Sequence, residues 1–152
     1  MAQYETKVNL SVMKVQKNVD GDLVFVSKIC PFRSHHANLN QYYYIMLTAL
    51  EKNRNRLVYK RDKELVPCTR AMFRRLLDIS ETTFSTMIRQ FCEEGIVGIF
   101  QINNREEYYV NPAYAFCGDE IPEFLLWMFK TKPEDLKSFD PYWIQRVKDL
   151  RK

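Results

Sequence analysis

The stretch from Thr69 to Pro112, TRAMFRRLLDISETTFSTMIRQFCEEGIVGIFQINNREEYYVNP, constrains the fold more than any other part of the chain. Phe84, Met87, Ile88, Phe91 and Cys92 recur at i, i+3, i+4, i+7 and i+8, which predicts one helix with a single buried stripe. Ser80 is placed to cap its start by accepting from a free backbone amide, and Glu81 adds negative charge there. Gly95 suits the left-handed turn that closes a helix. Upstream, Thr69 is placed to cap a shorter helix with Met72, Phe73, Leu76 and Leu77 facing inward. Asp78-Ile79-Ser80 leaves three residues between the two helices, with one apolar plug. Downstream, Ile96 to Ile102 and Glu107 to Val110 read as two strands around a tip at Asn103-Asn104-Arg105-Glu106. The order is helix, tight turn, helix, hairpin: an α+β winged helix-turn-helix pattern.

The outward face of the second helix carries Thr82, Thr83, Ser85, Thr86, Arg89, Gln90 and Glu93. Hydroxyls donate and accept without bulk, and Arg pairs with guanine, so such a face fits a major groove. An ordinary solvated face is the plain alternative, because most amphipathic helices only pack a core. The expected base readers are Thr82, Thr83, Ser85, Thr86, Arg89 and Gln90, with Thr82, Thr86, Arg89 and Gln90 foremost.

Charge favours the nucleic-acid reading. The chain's formal net charge is +4. Residues 52–75 alone hold nine basic side chains against Asp62 and Glu64, a net +7. A concentration of this kind beside a helix-turn-helix points to a polyanion. Arg54, Arg56, Lys60, Arg61, Lys63, Thr69, Arg70, Arg74 and Arg75 are therefore expected to meet phosphates, and Asn103, Asn104 and Arg105 to make a wing contact. Glu106 and Glu107 beside Arg105 weaken the wing contact.

Elsewhere the pattern is plainer. Val8, Leu10 and Val12 alternate with polar residues, Asp20-Gly21 supplies a turn, and Leu23 to Val26 resume in β-formers, so residues 4–29 predict a hairpin. A helix rich in apolar residues is expected from Leu39 or Asn40 to about Lys52, with the Tyr42-Tyr43-Tyr44 run as core and surface aromatics. Leu65 and Val66 fit a short strand, and Pro67 a break. Phe124 to Phe129 is a dense apolar run. Asp140-Pro141 resembles a helix start, followed by a stripe of Trp143, Ile144, Val147 and Leu150. That end of the chain reads equally well as packing on the core or as a partner surface.

Catalytic motifs are lacking. There is no phosphate-binding G-x-x-x-x-G-K-[ST] loop, and no nucleophile-base set in motif form. Adjacent His35 and His36 on an extended chain point to opposite faces, which disfavours one shared metal. Glu93-Glu94 and Glu106-Glu107 read as solvated charge. Cys30, Cys68, Cys92 and Cys117 show no paired spacing, so free, mostly buried thiols are expected. No apolar run is long enough to span a membrane, and MAQYETKVNL lacks a signal pattern. A cytoplasmic protein with no enzymatic activity, cofactor, catalytic residue or metal is the expectation.

The stretches KELVPCTRAMFRRLLDISETTFSTMIRQFCEEGIV and YYVNPAYAFCGDE together resemble the RepL-type plasmid replication proteins, winged-helix initiators. The resemblance runs over most of residues 4–129. It does not extend to the basic loop at 52–63 or to the segment after Pro133. It implies binding to double-stranded origin DNA and recruitment of host replication proteins, without catalysis; a phage or mobile-element origin fits equally. The expected organisation is an N-terminal β-hairpin extension (1–30), a winged-helix DNA-binding domain (38–117) and a C-terminal helical extension (118–152). Three alternatives stay open: a transcriptional regulator working with transcription proteins, a winged-helix protein-interaction module without DNA binding, and, more distantly, a nuclease. A homodimer is compatible with any of them.

Overall fold

The computed structural model describes residues 13–27, 37–118 and 121–130. They form four helices and three small antiparallel sheets, a mixed α/β arrangement. The expected strand at Val8–Val12, the His35-His36 pair, Cys30 and the stripe from Trp143 to Leu150 lie outside the described residues.

The N-terminal hairpin is β1 (Met13–Lys17) and β2 (Leu23–Ser27). Asn18 builds its turn: Oδ1 accepts from the amides of Asp20 and Asp22, both at 2.9 Å. The Asn18 amide group also donates to the Leu50 carbonyl at 2.9 Å, tying the turn to the body. A hairpin alone is marginal. Here β2 gains a second neighbour, β7 (Ala115–Cys117), in register Val24↔Cys117 and Val26↔Ala115. Val24 and Val26 are fully buried in the main core.

Helix α1 (Ala37–Leu47) stops short of the expected Lys52. Thr48, Ala49 and Leu50 donate to carbonyls three residues back, which tightens the helix end. Leu50 then bridges Leu57, and Ala49 accepts from the Val58 amide, so strand-like pairing takes over. The chain reverses through Asn53 and Asn55, both at positive φ, which Asn tolerates well. Asn55 is fully buried. It donates to the Val110 and Ala115 carbonyls, each at 2.8 Å, and accepts from the Cys117 amide at 3.0 Å.

Strands β3 (Val58–Arg61) and β4 (Glu64–Pro67) make a full hairpin where the sequence predicts one short strand. Asp62 and Lys63 both take positive φ, the geometry of a two-residue hairpin turn. Pro67 ends β4 rather than breaking the chain before it, and sits on the edge of a two-stranded sheet where its missing donor costs little.

Helices α2 (Arg70–Leu77) and α3 (Glu81–Glu93) follow, with Asp78 in the left-handed conformation between them. Both expected caps are present. Thr69 Oγ1 accepts from the Met72 amide and Ser80 Oγ from the Thr83 amide, each at 3.2 Å. Phe73 packs edge-on against Phe84 (5.0 Å) and Tyr108 (5.2 Å), locking α2, α3 and the last hairpin together. Phe84, Met87, Ile88 and Phe91 are buried, but Cys92 is exposed. Eight residues past Phe84, at about 100° per residue, Cys92 has turned roughly 80° off the stripe.

Strands β5 (Val97–Ile102) and β6 (Arg105–Val110) form the last hairpin. Its tip is Asn103-Asn104 alone, both at positive φ; Arg105 and Glu106 already belong to β6. Residues 55–57 run beside β6: the Leu57 amide donates to Tyr108 (2.8 Å), the Val110 amide to Asn55 (3.0 Å), and Arg56 bridges Tyr109. Helix α4 (Glu123–Met128) closes a second apolar cluster of Tyr109, Phe116, Ile121, Leu125 and Leu126.

Candidate nucleic-acid interface

The core-facing stripe of α3 leaves its opposite side open. Thr82, Thr83, Ser85, Thr86 and Arg89 are exposed, and Gln90 is half-buried. Thr83 is held by Ser80 Oγ at 3.0 Å, and Thr86 back-bonds to the Thr82 carbonyl at 3.2 Å. Arg89 has no ion-pair partner among the described residues, so its guanidinium is available.

Arg70 and Arg74 lie four residues apart and so share one face of α2. That face meets the first turn of α3. Arg70 donates through Nε to Glu81 Oε1 at 2.9 Å and through Nη2 to Ser85 Oγ at 2.8 Å. Its Nη2 also stands 2.7 Å from Glu81 Oε1. Arg74 Nη1 donates to Glu81 Oε2 at 2.9 Å. The hydrogen bond from Arg70 holds the Glu81 carboxyl below the usual carboxylate range, and the same bond raises Arg70 further. Arg74 Nε is buried without a hydrogen-bond partner. Thr69 serves as helix cap through its hydroxyl.

A groove of about 440 Å³ opens between the β3–β4 hairpin, the start of α2 and the tip of β5–β6. Arg61, Arg70 and Arg105 reach it from three separate elements, with Thr69 and Asn104 beside them. Glu106 and Glu107 also contribute to its wall. Glu106 accepts from the Tyr108 hydroxyl at 2.9 Å, and burial pushes that phenol well above its ordinary value. Asn103, Lys63 and Arg75 are exposed nearby in sequence but do not line the groove.

Four of the expected phosphate contacts stand elsewhere; one of them, Arg75, lines a separate cavity with Lys60 and Met72. Arg56 is shielded, with a side chain 14% exposed. It pairs with Glu51 at 3.1 Å and Glu107 at 3.2 Å, so its charge is consumed inside the fold. Glu107 is correspondingly 6% exposed and accepts from the Tyr109 hydroxyl, not the solvated carboxylate its sequence neighbours suggest. Arg54 lies 3.6 Å from Glu51 and lines a different, apolar cavity of about 530 Å³ with Phe100, Tyr109, Phe124, Trp127 and Met128. Lys60 pairs with Asp20 in the N-terminal hairpin turn. The net +7 of residues 52–75 is thus spread over three sides of the fold rather than gathered in one patch.

Sequence reasoning missed the Glu81 clamp and the Arg56 pair. The first had a signal: two arginines at i, i+4 on one helix, followed by a carboxylate at the first position of the next. The second had none, because it joins residues 51 apart in the chain.

No group of three His, Cys, Asp or Glu among the described residues is arranged to hold a metal ion. Cys68, Cys92 and Cys117 are free thiols. Burial pushes Cys68 up to about 11 and Cys117 to about 12, so neither is a ready nucleophile. No helix among the described residues is long and apolar enough to cross a membrane. No family model, curated protein or solved structure matches this chain.

Proposed function

We propose that this protein is a sequence-specific, double-stranded DNA-binding protein of winged-helix architecture. In this reading α3 enters the major groove, with Thr82, Thr86, Arg89 and Gln90 as base readers. The β5–β6 hairpin is the wing, and residues 55–57, which run along β6, supply the strand that joins the wing to the core. The observation that carries the proposal is the groove in which Arg61, Arg70 and Arg105 converge from three elements, tied to α3 by the hydrogen bond from Arg70 to Ser85. Arg61, Lys63, Arg70, Arg74 and Arg105 are the phosphate contacts; Arg54, Arg56 and Lys60, taken up elsewhere, and Arg75, which lines a separate cavity with Lys60, are withdrawn from that role.

The likeness of residues 63–120 to RepL-type initiators supports a role at a plasmid, phage or mobile-element origin, with host replication proteins as partners. A transcriptional regulator would use the same binding physics and is separated by the location of its site. A protein-interaction module is favoured by one observation: Phe100, Phe124 and Trp127 are 50%, 40% and 71% exposed around a single apolar cavity.

Selection of bound fragments from a random genomic library distinguishes these readings. Enrichment of one sequence at an origin supports the initiator, and enrichment at promoters the regulator. Recovery at background level for every fragment contradicts DNA recognition and leaves the interaction module.

A further inference from the structure

Glu81 sits where an anionic ligand would sit. Its two oxygens are divided between two guanidiniums, Oε1 to Arg70 and Oε2 to Arg74. Arg70 also holds Ser85 Oγ, so the carboxylate lies in a pocket of donors at the start of a thirteen-residue helix. None of the three charged side chains is sealed off: Arg70, Arg74 and Glu81 are 40%, 37% and 52% exposed. A phosphate carries the same charge and the same bidentate oxygen geometry as a carboxylate, which is why arginine pairs take either.

We infer that Arg70, Arg74 and Ser85 form a backbone-phosphate site that Glu81 occupies in the free protein, so that DNA binding requires a phosphate to displace the Glu81 carboxylate. The inference rests on the DNA-binding reading and adds a role to a residue which that reading leaves idle. The exchange follows from charge. Exposed ion pairs are individually weak, so a phosphate in a polyanion with a condensed counterion layer competes well against a single carboxylate. Displacement turns Glu81 outward toward solvent, next to Thr82 at the base-reading face. The carboxylate then repels phosphates of any duplex that does not seat fully. Glu81 therefore lowers affinity for all DNA and lowers it most for poorly fitting sequences, a built-in selectivity filter.

The test uses the full chain and fluorescence anisotropy with a labelled mixed-sequence duplex over a range of salt. Glu81→Gln removes the charge while keeping the side-chain shape. It is expected to tighten binding about tenfold with the log–log salt slope little changed, because the wild-type complex already makes the same phosphate contact. Glu93→Gln removes a charge from the exposed end of the same helix and controls for general electrostatics; its gain is expected to be several-fold smaller. Glu81→Asp keeps the charge and suits a helix start, yet shortens the reach to both guanidiniums, and is expected to fall between wild type and Glu81→Gln. In an Arg70→Gln, Arg74→Gln background the gain from Glu81→Gln should vanish. Circular dichroism on each variant confirms that α3 is intact.

If Glu81→Gln gains no more than Glu93→Gln, or gains as much without the two arginines, the site is overturned while DNA binding by the wild type stands. If neither wild type nor Glu81→Gln binds any duplex, the DNA-binding reading fails and the inference falls with it. Binding by Glu81→Gln but not by wild type would support the inference in its strongest form.

Discussion

Arg56 and Glu107 stand 3.2 Å apart, with side chains 14% and 8% exposed. Glu51 shares the arginine, and the Tyr109 hydroxyl satisfies the other Glu107 oxygen. Removing one member of such a set strands a charge in a poorly solvated place, which typically costs about 3 kcal/mol or more. Arg56→Ala should therefore lower the unfolding free energy from urea titration by that order while leaving the DNA affinity of the folded fraction unchanged. Loss of affinity with unchanged stability would return Arg56 to the phosphate list. Arg89 makes the opposite case. It is exposed on α3, so Arg89→Ala should keep stability and relax base preference by about 1–3 kcal/mol at one position. Competition with single-base variants of the selected site measures this. The buried thiols add a pH effect. Cys68 and Cys117 are raised by burial from 9.0 to about 11 and about 12. Their protonated forms fit the folded state, so their contribution is complete below pH 9 and is lost as pH rises through the raised values. Denaturant midpoints should fall from pH 9 upward, and a Cys68→Ala, Cys117→Ala double variant should show a shallower fall.

At the scale of elements, Asn55 joins three segments that are remote in sequence. Its side chain satisfies the carbonyls of Val110 and Ala115 and the amide of Cys117, tying the loop after α1 to β6 and β7. Asn55→Ala should leave all three backbone groups unsatisfied in the interior and destabilise the fold by about 3 kcal/mol or more, as read by thermal or denaturant unfolding. A change under about 0.5 kcal/mol would mean that water replaces the side chain, contrary to this account. Local elements were legible in the sequence. Thr69 and Ser80 announce their helices because caps act within three residues, and the α3 stripe announces its buried face because periodicity is local. The β1–β2 hairpin showed through its turn and its second strand. The pairing of β2 with β7 was not legible, since Val24 and Cys117 are joined only by tertiary register. The early end of α1 was hidden for the same reason: Leu47 and Ala49 suit a helix, but the bridge from Leu50 to Leu57 prevails. Strand β3 was not legible because its turn, Asp62-Lys63, lacks the glycine that usually marks a two-residue hairpin and lies within the basic stretch at 52–63.

At the scale of the molecule, the basic charge concentrated in one stretch of sequence is divided by the fold. Arg61 and Arg70 enter the groove beside Arg105; another share is neutralised by Glu51, Glu107 and Asp20; Glu81 clamps Arg74 and also holds Arg70. Net charge along a sequence predicts attraction to a polyanion, but only the folded surface says which charges meet it. The proposed phosphate contacts are then five basic side chains, two of them bound to Glu81. The most direct test of the account is the salt dependence of duplex binding by the wild-type chain. With about five phosphates neutralised, the logarithm of affinity should fall against the logarithm of salt with a slope of roughly −4 to −5. A flat dependence, or no binding at low salt by either the wild type or Glu81→Gln, would contradict the claim that this fold is built to hold DNA.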